Sequence, residues 1–306
     1  MKNVKVQFKK GYFWTKIRRV LLTYAATPIQ EIHAQAIFTA GVRLFIKRED
    51  LNHPYVSGNK WWKLKYNLSE ALRLKKNTLL TFGGAYSNHI YSTAAAAREV
   101  NMNAIGIIRG EEQTSVNPVI QFARRTGMEL YFVSREAYGR KNESDFIEAL
   151  NKDFGDYYLI PEGGSNEFAV AGVKEFAAGL IGDFDYICCP VGTGGTLAGL
   201  INGFKGTSMI VGFSVLKNGS FLCDEVRRLG ADYDNWTVRT EYDFGGYAKS
   251  TQWLSSFINS FINDHNIPIE PVYSGKMMAG IFDLLNKGFF KRGSRILALH
   301  TGGIHR

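Results

Sequence analysis

Ser57-Gly58-Asn59-Lys60-Trp61-Trp62-Lys63 is the stretch on which the reading of this chain turns. Gly58 and Asn59 suit a turn, and Trp61, Leu64, Leu68 and Leu72 then recur at three- and four-residue spacing. That pattern predicts a helix opening directly after the turn. Lys60 falls at its N-terminus, where the positive end of the helix dipole disfavours the ammonium form. A partly neutral amine is the form that condenses with an aldehyde cofactor. A lone lysine is ordinarily a solvated side chain, so the meaning of Lys60 rests on its company.

That company begins at Cys188-Cys189-Pro190-Val191-Gly192-Thr193-Gly194-Gly195-Thr196. Tyr186, Ile187 and Cys188 read as a buried strand, and Leu197, Leu200 and Ile201 open an apolar helical face. Between them lies a glycine-rich turn aimed at a helix start. Glycines let the backbone approach an anion, and the free N–H groups of the helix start favour phosphate. The Gly-Lys-Ser/Thr ending of a nucleoside-triphosphate loop is missing, and Gly192, Gly194 and Gly195 lack the third glycine of dinucleotide spacing. An amine suited to an aldehyde and a loop suited to phosphate together imply pyridoxal 5'-phosphate.

The rest of the composition sets limits. At 306 residues the chain exceeds the size at which one core keeps growing, so two lobes are expected. With 45% hydrophobic residues and dispersed charge it is globular. No run of eighteen apolar residues occurs, which argues against a membrane span. Adjacent Cys188 and Cys189 on a predicted buried strand, with Cys223, suit a reduced cytoplasm and no disulfide framework. The N-terminus shows no hydrophobic signal core. The net charge of +9 is concentrated: Lys2, Lys5, Lys9, Lys10, Lys16, Arg18 and Arg19 supply seven positives before the first acid, Glu31. A short basic arm of this kind reads as a solvated start, not as a nucleic-acid surface.

Strand and helix patterns alternate along the chain, which argues for parallel sheets with crossover helices. Strands are predicted over 43–47, 77–82, 103–108, 129–133, 157–160, 186–189, 209–214 and 295–299. Helices are predicted from residue 60 and over 86–100, 116–126, 144–154, 168–181, 195–204, 221–229, 251–264 and 275–287.

Further landmarks frame these two. In order they are Thr27-Pro28-Ile29-Gln30, Lys47-Arg48-Glu49-Asp50-Leu51, Ser87-Asn88-His89, Pro161-Glu162-Gly163-Gly164-Ser165-Asn166, Pro271-Val272-Tyr273-Ser274-Gly275-Lys276 and His300-Thr301-Gly302-Gly303. With the lysine turn and the glycine loop they span nearly the whole chain. The set resembles the fold type II pyridoxal-phosphate enzymes, and within them the 1-aminocyclopropane-1-carboxylate deaminase and D-cysteine desulfhydrase family. The resemblance implies a two-lobed, tryptophan synthase β-like α/β fold, with parallel sheets covered by helices on both faces. A large lobe (1–61 and 162–306) would receive an inserted small lobe (62–161), with the cofactor in the cleft between them. A homodimer, a small amino-acid substrate and no metal ion are also implied.

By the same resemblance, Lys60 carries the cofactor and shuttles protons at the substrate. Lys63, one turn on, meets the cofactor phosphate beside Gly192, Thr193, Gly194, Gly195 and Thr196. Asn88 bonds the cofactor's ring hydroxyl, and Ser87 holds the substrate carboxylate or joins in proton transfer. Plain helix capping is the structural alternative for Ser87 and Asn88. Tyr247 and Tyr273 act as acid, base or nucleophile at the substrate's β-carbon, with Tyr273 also lying against the ring. Ala248-Lys249-Ser250 departs from the glycine-proline surroundings usual after the first tyrosine.

Ser274 and Thr301 decide between reactions. Where resembling deaminases carry a glutamate that keeps the pyridine nitrogen protonated, this chain has Ser274. A hydroxyl is a poor proton source, so the ring becomes a weaker electron sink. Opening a cyclopropane needs strong withdrawal, whereas β-elimination from D-cysteine needs less. Thr301 likewise matches the desulfhydrase version. The expected reaction is therefore D-cysteine to pyruvate, hydrogen sulfide and ammonia, with the deaminase, yielding 2-oxobutyrate and ammonia, as the alternative. The resembled family continues past the final Gly-Gly while this chain ends at Arg306. That departure frames a third expectation, a cofactor-binding protein with little turnover.

Overall fold

A computed structural model of the protein describes residues 22–112, 117–180 and 182–304. The basic arm, Lys2 to Arg19, lies outside these residues. Among them the strands are β1 (Ile29–Ile32), β2 (Arg43–Lys47), β3 (Thr78–Gly84), β4 (Asn103–Arg109), β5 (Met128–Val133), β6 (Tyr158–Ile160), β7 (Tyr186–Val191), β8 (Met209–Ser214), β9 (Trp236–Arg239) and β10 (Arg295–Leu299). They form a six-stranded sheet in the order β1-β2-β10-β7-β8-β9 and a four-stranded sheet in the order β5-β4-β3-β6. Every pairing is parallel except β1 with β2. Central strands such as β7 and β10 are near-continuous apolar runs, as sheets covered on both faces require.

Separate apolar clusters cover the two faces of each sheet. In the larger sheet, Leu44, Ile46, Cys188 and Phe213 face helices Gln252–His265 and Ser274–Asn286. Ile187, Cys189 and Ile210 face helices Glu167–Ala178 and Gly195–Phe204. The α/β expectation with helices on both faces therefore holds, and Cys188 and Cys189, both buried and free, point to opposite clusters. Among the strands and α-helices of the described residues, four escaped the sequence reading: β1, β9, and helices Gln35–Ala40 and Arg135–Gly139. Each is short and half-exposed, so its apolar period is too brief to register. β1 also shows why the sheet is not wholly parallel: it is an edge strand that turns back through helix Gln35–Ala40 into its antiparallel neighbour β2.

Helix Asn59–Arg73 carries Lys60 and lies across Glu167–Ala178. The crossing is close because Gly172 has no side chain. A Cβ there would stand 2.0 Å from the Trp62 carbonyl oxygen, and overpacking of this sort costs about 1–3 kcal/mol. Glu167–Ala178 packs in turn on Gly195–Phe204. This stack of three helices brings the start of the Lys60 helix against the glycine loop after β7.

Candidate active site

The carboxyl ends of β3, β4, β6, β7 and β10 open onto one cleft of about 460 Å³. This is where parallel sheets present their loops to small ligands. Lys60 enters from the helix start that the turn at Gly58 creates. Gly58 sits at φ 70°, and a Cβ there would overlap the Thr301 carbonyl, 1.8 Å away, so only glycine lets the two loops meet.

Lys60 Nζ donates to the Gly163 carbonyl at 3.2 Å, and Lys63 Nζ donates to Ser165 Oγ at 2.8 Å. Ser165 Oγ bonds Thr193 Oγ1 at 2.5 Å, and Asn59 Nδ2 donates to Thr196 Oγ1 at 2.8 Å. These links tie the lysine helix, the 162–166 segment and the glycine loop into one wall. Gly195 keeps the wall open: a Cβ there would stand 2.7 Å from Ser165 Oγ and 3.2 Å from Lys63 Nζ. Neither lysine has a carboxylate partner among the described residues. Burial lowers the Lys60 amine to about 8. It holds Lys63 well below the usual lysine range, helped by the neighbouring charge of Lys60. The helix dipole was the expected cause at Lys60, whereas loss of water is the larger one.

Ser87 caps helix Asn88–Glu99, its hydroxyl accepting from His89 N at 3.2 Å and Ile90 N at 3.4 Å. The capping alternative is thus realised, while the same residue still lines the cleft with Asn88. Tyr247 donates to the Tyr86 carbonyl at 3.2 Å, and its ring meets Tyr273 edge-on with centroids 6.1 Å apart. Burial raises both phenols, that of Tyr273 well above its usual range. Lys60, Lys63, Ser87, Asn88, Gly192, Thr193, Gly194, Thr196, Tyr247, Tyr273 and Thr301 all line the cleft. Gly195 stands just behind the loop surface.

Ser274 does not line the cleft. It is fully buried at the start of helix Ser274–Asn286, and its hydroxyl donates to Glu270 Oε1 at 3.1 Å while accepting from Glu270 N at 3.0 Å. The Glu270 carboxylate also accepts from the amides of Val272, Tyr273 and Ser274. Burial raises its pKa, opposed by these bonds. Sequence reasoning missed Glu270 and gave no role to four others. Asn59, Ser165 and Lys276 stood inside quoted motifs; Arg109 gave no signal. Lys276 Nζ donates to the carbonyls of Asp243 (2.7 Å) and Gly246 (2.6 Å), fastening the loop that presents Tyr247. His89 was set aside; burial holds it neutral, with Thr81 Oγ1 2.8 Å from Nε2.

The donor set can be tested against pyridoxal 5'-phosphate. A buried and a half-buried amine without acids, beside hydroxyls and a loop that a single Cβ would fill, suit an aldehyde and a phosphate dianion. The fold and this wall are those of a pyridoxal-phosphate enzyme. Comparison with known proteins agrees. The pyridoxal-phosphate dependent enzyme family matches residues 20–302. A Pyrococcus horikoshii protein, named provisionally as a 1-aminocyclopropane-1-carboxylate deaminase, is 31% identical over 94% of this chain and 93% of its own. A bifunctional D-cysteine desulfhydrase/1-aminocyclopropane-1-carboxylate deaminase of Arabidopsis thaliana is 28% identical, covering 92% of this chain and 77% of its own. The crystal structure of an ACC deaminase homologue superposes with a TM-score of 0.80 at 29% identity, covering 93% of this chain and 91% of its own. This chain belongs to the pyridoxal-phosphate dependent enzymes, in the branch of 1-aminocyclopropane-1-carboxylate deaminase and D-cysteine desulfhydrase.

Proposed function

We propose that the chain is a D-cysteine desulfhydrase. With water, D-cysteine gives pyruvate, hydrogen sulfide and ammonia: the Cα–H and Cβ–S bonds break, and sulfur leaves with the electron pair and takes a proton. Bound pyridoxal phosphate supplies the electron withdrawal that acidifies the substrate Cα. Lys63, Ser165, Thr193 and the backbone at 192–196 hold its phosphate, Asn88 its ring hydroxyl, and Lys60 its aldehyde carbon. Freed when the substrate's amine takes its place, Lys60 Nζ would remove the proton at Cα, and Ser87 would orient the carboxylate. Tyr247 and Tyr273, both with raised pKa, stay protonated and donate to the departing sulfur.

One observation carries the choice of reaction. The resemblance would put the ring nitrogen at Thr301, whose hydroxyl lines the cleft, while the two lining carboxylates among the described residues, Glu162 and Glu225, are paired with Lys141 and Arg228. Position 274 is a serine turned away to residue 270, and Glu270 has its lone pairs engaged by three amides and that hydroxyl. The deaminase reading is favoured by the names of the relatives, and one assay separates them. Sulfide and pyruvate from D-cysteine support the proposal; 2-oxobutyrate from aminocyclopropane carboxylate supports the deaminase. Bound cofactor without product from either points to a binding protein. Thr301→Glu, which would put a carboxylate on the cleft lining, is expected to raise deaminase turnover relative to sulfide release, and an unchanged ratio would count against the ring-nitrogen argument. The same reading divides the chain into lobes 1–61 with 162–306 and 62–161, and makes it a cytoplasmic homodimer, for which the mass in solution is the check.

A further inference from the structure

Arg109 is the cleft cation that the reading above leaves without work. It ends β4, and its Nη2 lies 3.7 Å from the point where a Cβ on Gly84 would stand. Tyr247 Cε1 lies 3.9 Å from the same point. Guanidinium and phenol therefore flank the 84–87 turn, one step from Ser87 and Asn88. The other cleft cations are accounted for. Lys60 and Lys63 serve the cofactor, Lys141 pairs with Glu162 at 3.4 Å, and Arg228 pairs with Glu225 at 2.6 Å. The Arg109 side chain makes no ion pair or hydrogen bond among the described residues. It rests 5.7 Å above the ring of Tyr138, a residue 3% exposed.

A half-buried guanidinium with five unused donors is a costly arrangement unless a ligand engages it. Its planar fork matches a carboxylate or phosphate in two parallel bonds. Glu162 is the acid whose field reaches Tyr138 and Tyr247 together with that of Arg109, and Lys141 counters it from the other side. We propose that Arg109 is a specificity residue, and that the amino acid this cleft prefers carries a second negative charge on its β-substituent. The proposal rests on the function proposed above. D-cysteine meets it in part, as the thiolate, and a fully ionised substituent meets it better. For O-phosphoserine the reaction balances as substrate plus water to pyruvate, ammonia and phosphate; the Cβ–O bond breaks and phosphate takes the electron pair.

The test uses the cofactor-loaded protein with both enantiomers of O-phosphoserine and of β-chloroalanine, whose substituent is neutral. Affinity is read from the change in cofactor absorption, and kcat/KM from pyruvate. Wild type is expected to favour O-phosphoserine. Arg109→Met should weaken its binding and turnover at least tenfold while leaving β-chloroalanine unchanged, and Arg109→Lys should recover part of the loss. Equal losses on both substrates would place Arg109 on the α-carboxylate and overturn the proposal. So would a wild type that processes β-chloroalanine and ignores O-phosphoserine. If no amino acid perturbs the cofactor absorption, the proposed function itself fails, and this inference with it.

Discussion

The two ends of the cleft are built differently. At the phosphate end, the Lys60 helix, the 162–166 segment and the 192–196 loop lock together through Lys63, Ser165, Thr193 and Thr196. At the substrate end, Tyr247 sits on a loop in which Phe244, Gly245, Gly246 and Ala248 all have positive φ. That loop is fastened by the two bonds from Lys276. The first end is made by packing that tolerates no added atom. The second is a strained loop held chiefly by one buried amine, with a bond from Tyr247 to the Tyr86 carbonyl. Affinity for the cofactor and selectivity for the substrate are therefore expected to respond to different mutations.

Lys60→Ala is expected to have the largest effect, abolishing the visible absorption of lysine-bound cofactor and lowering turnover by about 10³-fold or more, since the nucleophile and the proton shuttle are lost together. A borohydride-reducible bond to the protein surviving in that variant would remove Lys60 from its assigned role. Gly195→Ala comes next. Its Cβ would press on Ser165 Oγ and Lys63 Nζ, so cofactor affinity should fall by roughly 10- to 100-fold while thermal unfolding of the apo-protein shifts little. Loss of substrate selectivity without loss of cofactor affinity would break the division between the ends. Lys276→Met is the reverse case. Freeing the Tyr247 loop should lower kcat/KM by about 10-fold through misplacement of Tyr247, with cofactor titration unchanged.

The same contrast explains what could be read beforehand. The phosphate end was legible because its requirements are local: a turn, a helix start and a run of glycines each announce themselves within ten residues. Asn88, Tyr247 and Thr301 came from the resemblance, not from pattern. Arg109 was invisible because nothing in Ile107-Ile108-Arg109 distinguishes a strand-end arginine facing a cleft from one facing water. Its meaning depends on β3 lying beside β4 and on Gly84 being small. Ser274 was expected to face the cofactor ring, but the structure keeps it out of the cleft. Only the return of the chain from Glu270 shows the hydroxyl turned inward, as part of the helix start.

The smallest expected effect concerns pH, and it sharpens the comparison because both ends hold an amine lowered to about 8, Lys60 and Lys276. Their sensitivities should have opposite sign. Lys60 must be neutral to attack the cofactor aldehyde, so the rate of cofactor uptake by apo-protein should climb as pH rises through about 8 and then level off. Lys276 holds its two carbonyls best as the ammonium, which has a proton for each and the charge to strengthen both bonds. Above the same pH the Tyr247 loop should loosen and kcat/KM should decline. Uptake and turnover would then cross near pH 8, and Lys276→Met should flatten only the turnover limb. If both limbs flatten together, the loop and the phosphate wall are mechanically one unit.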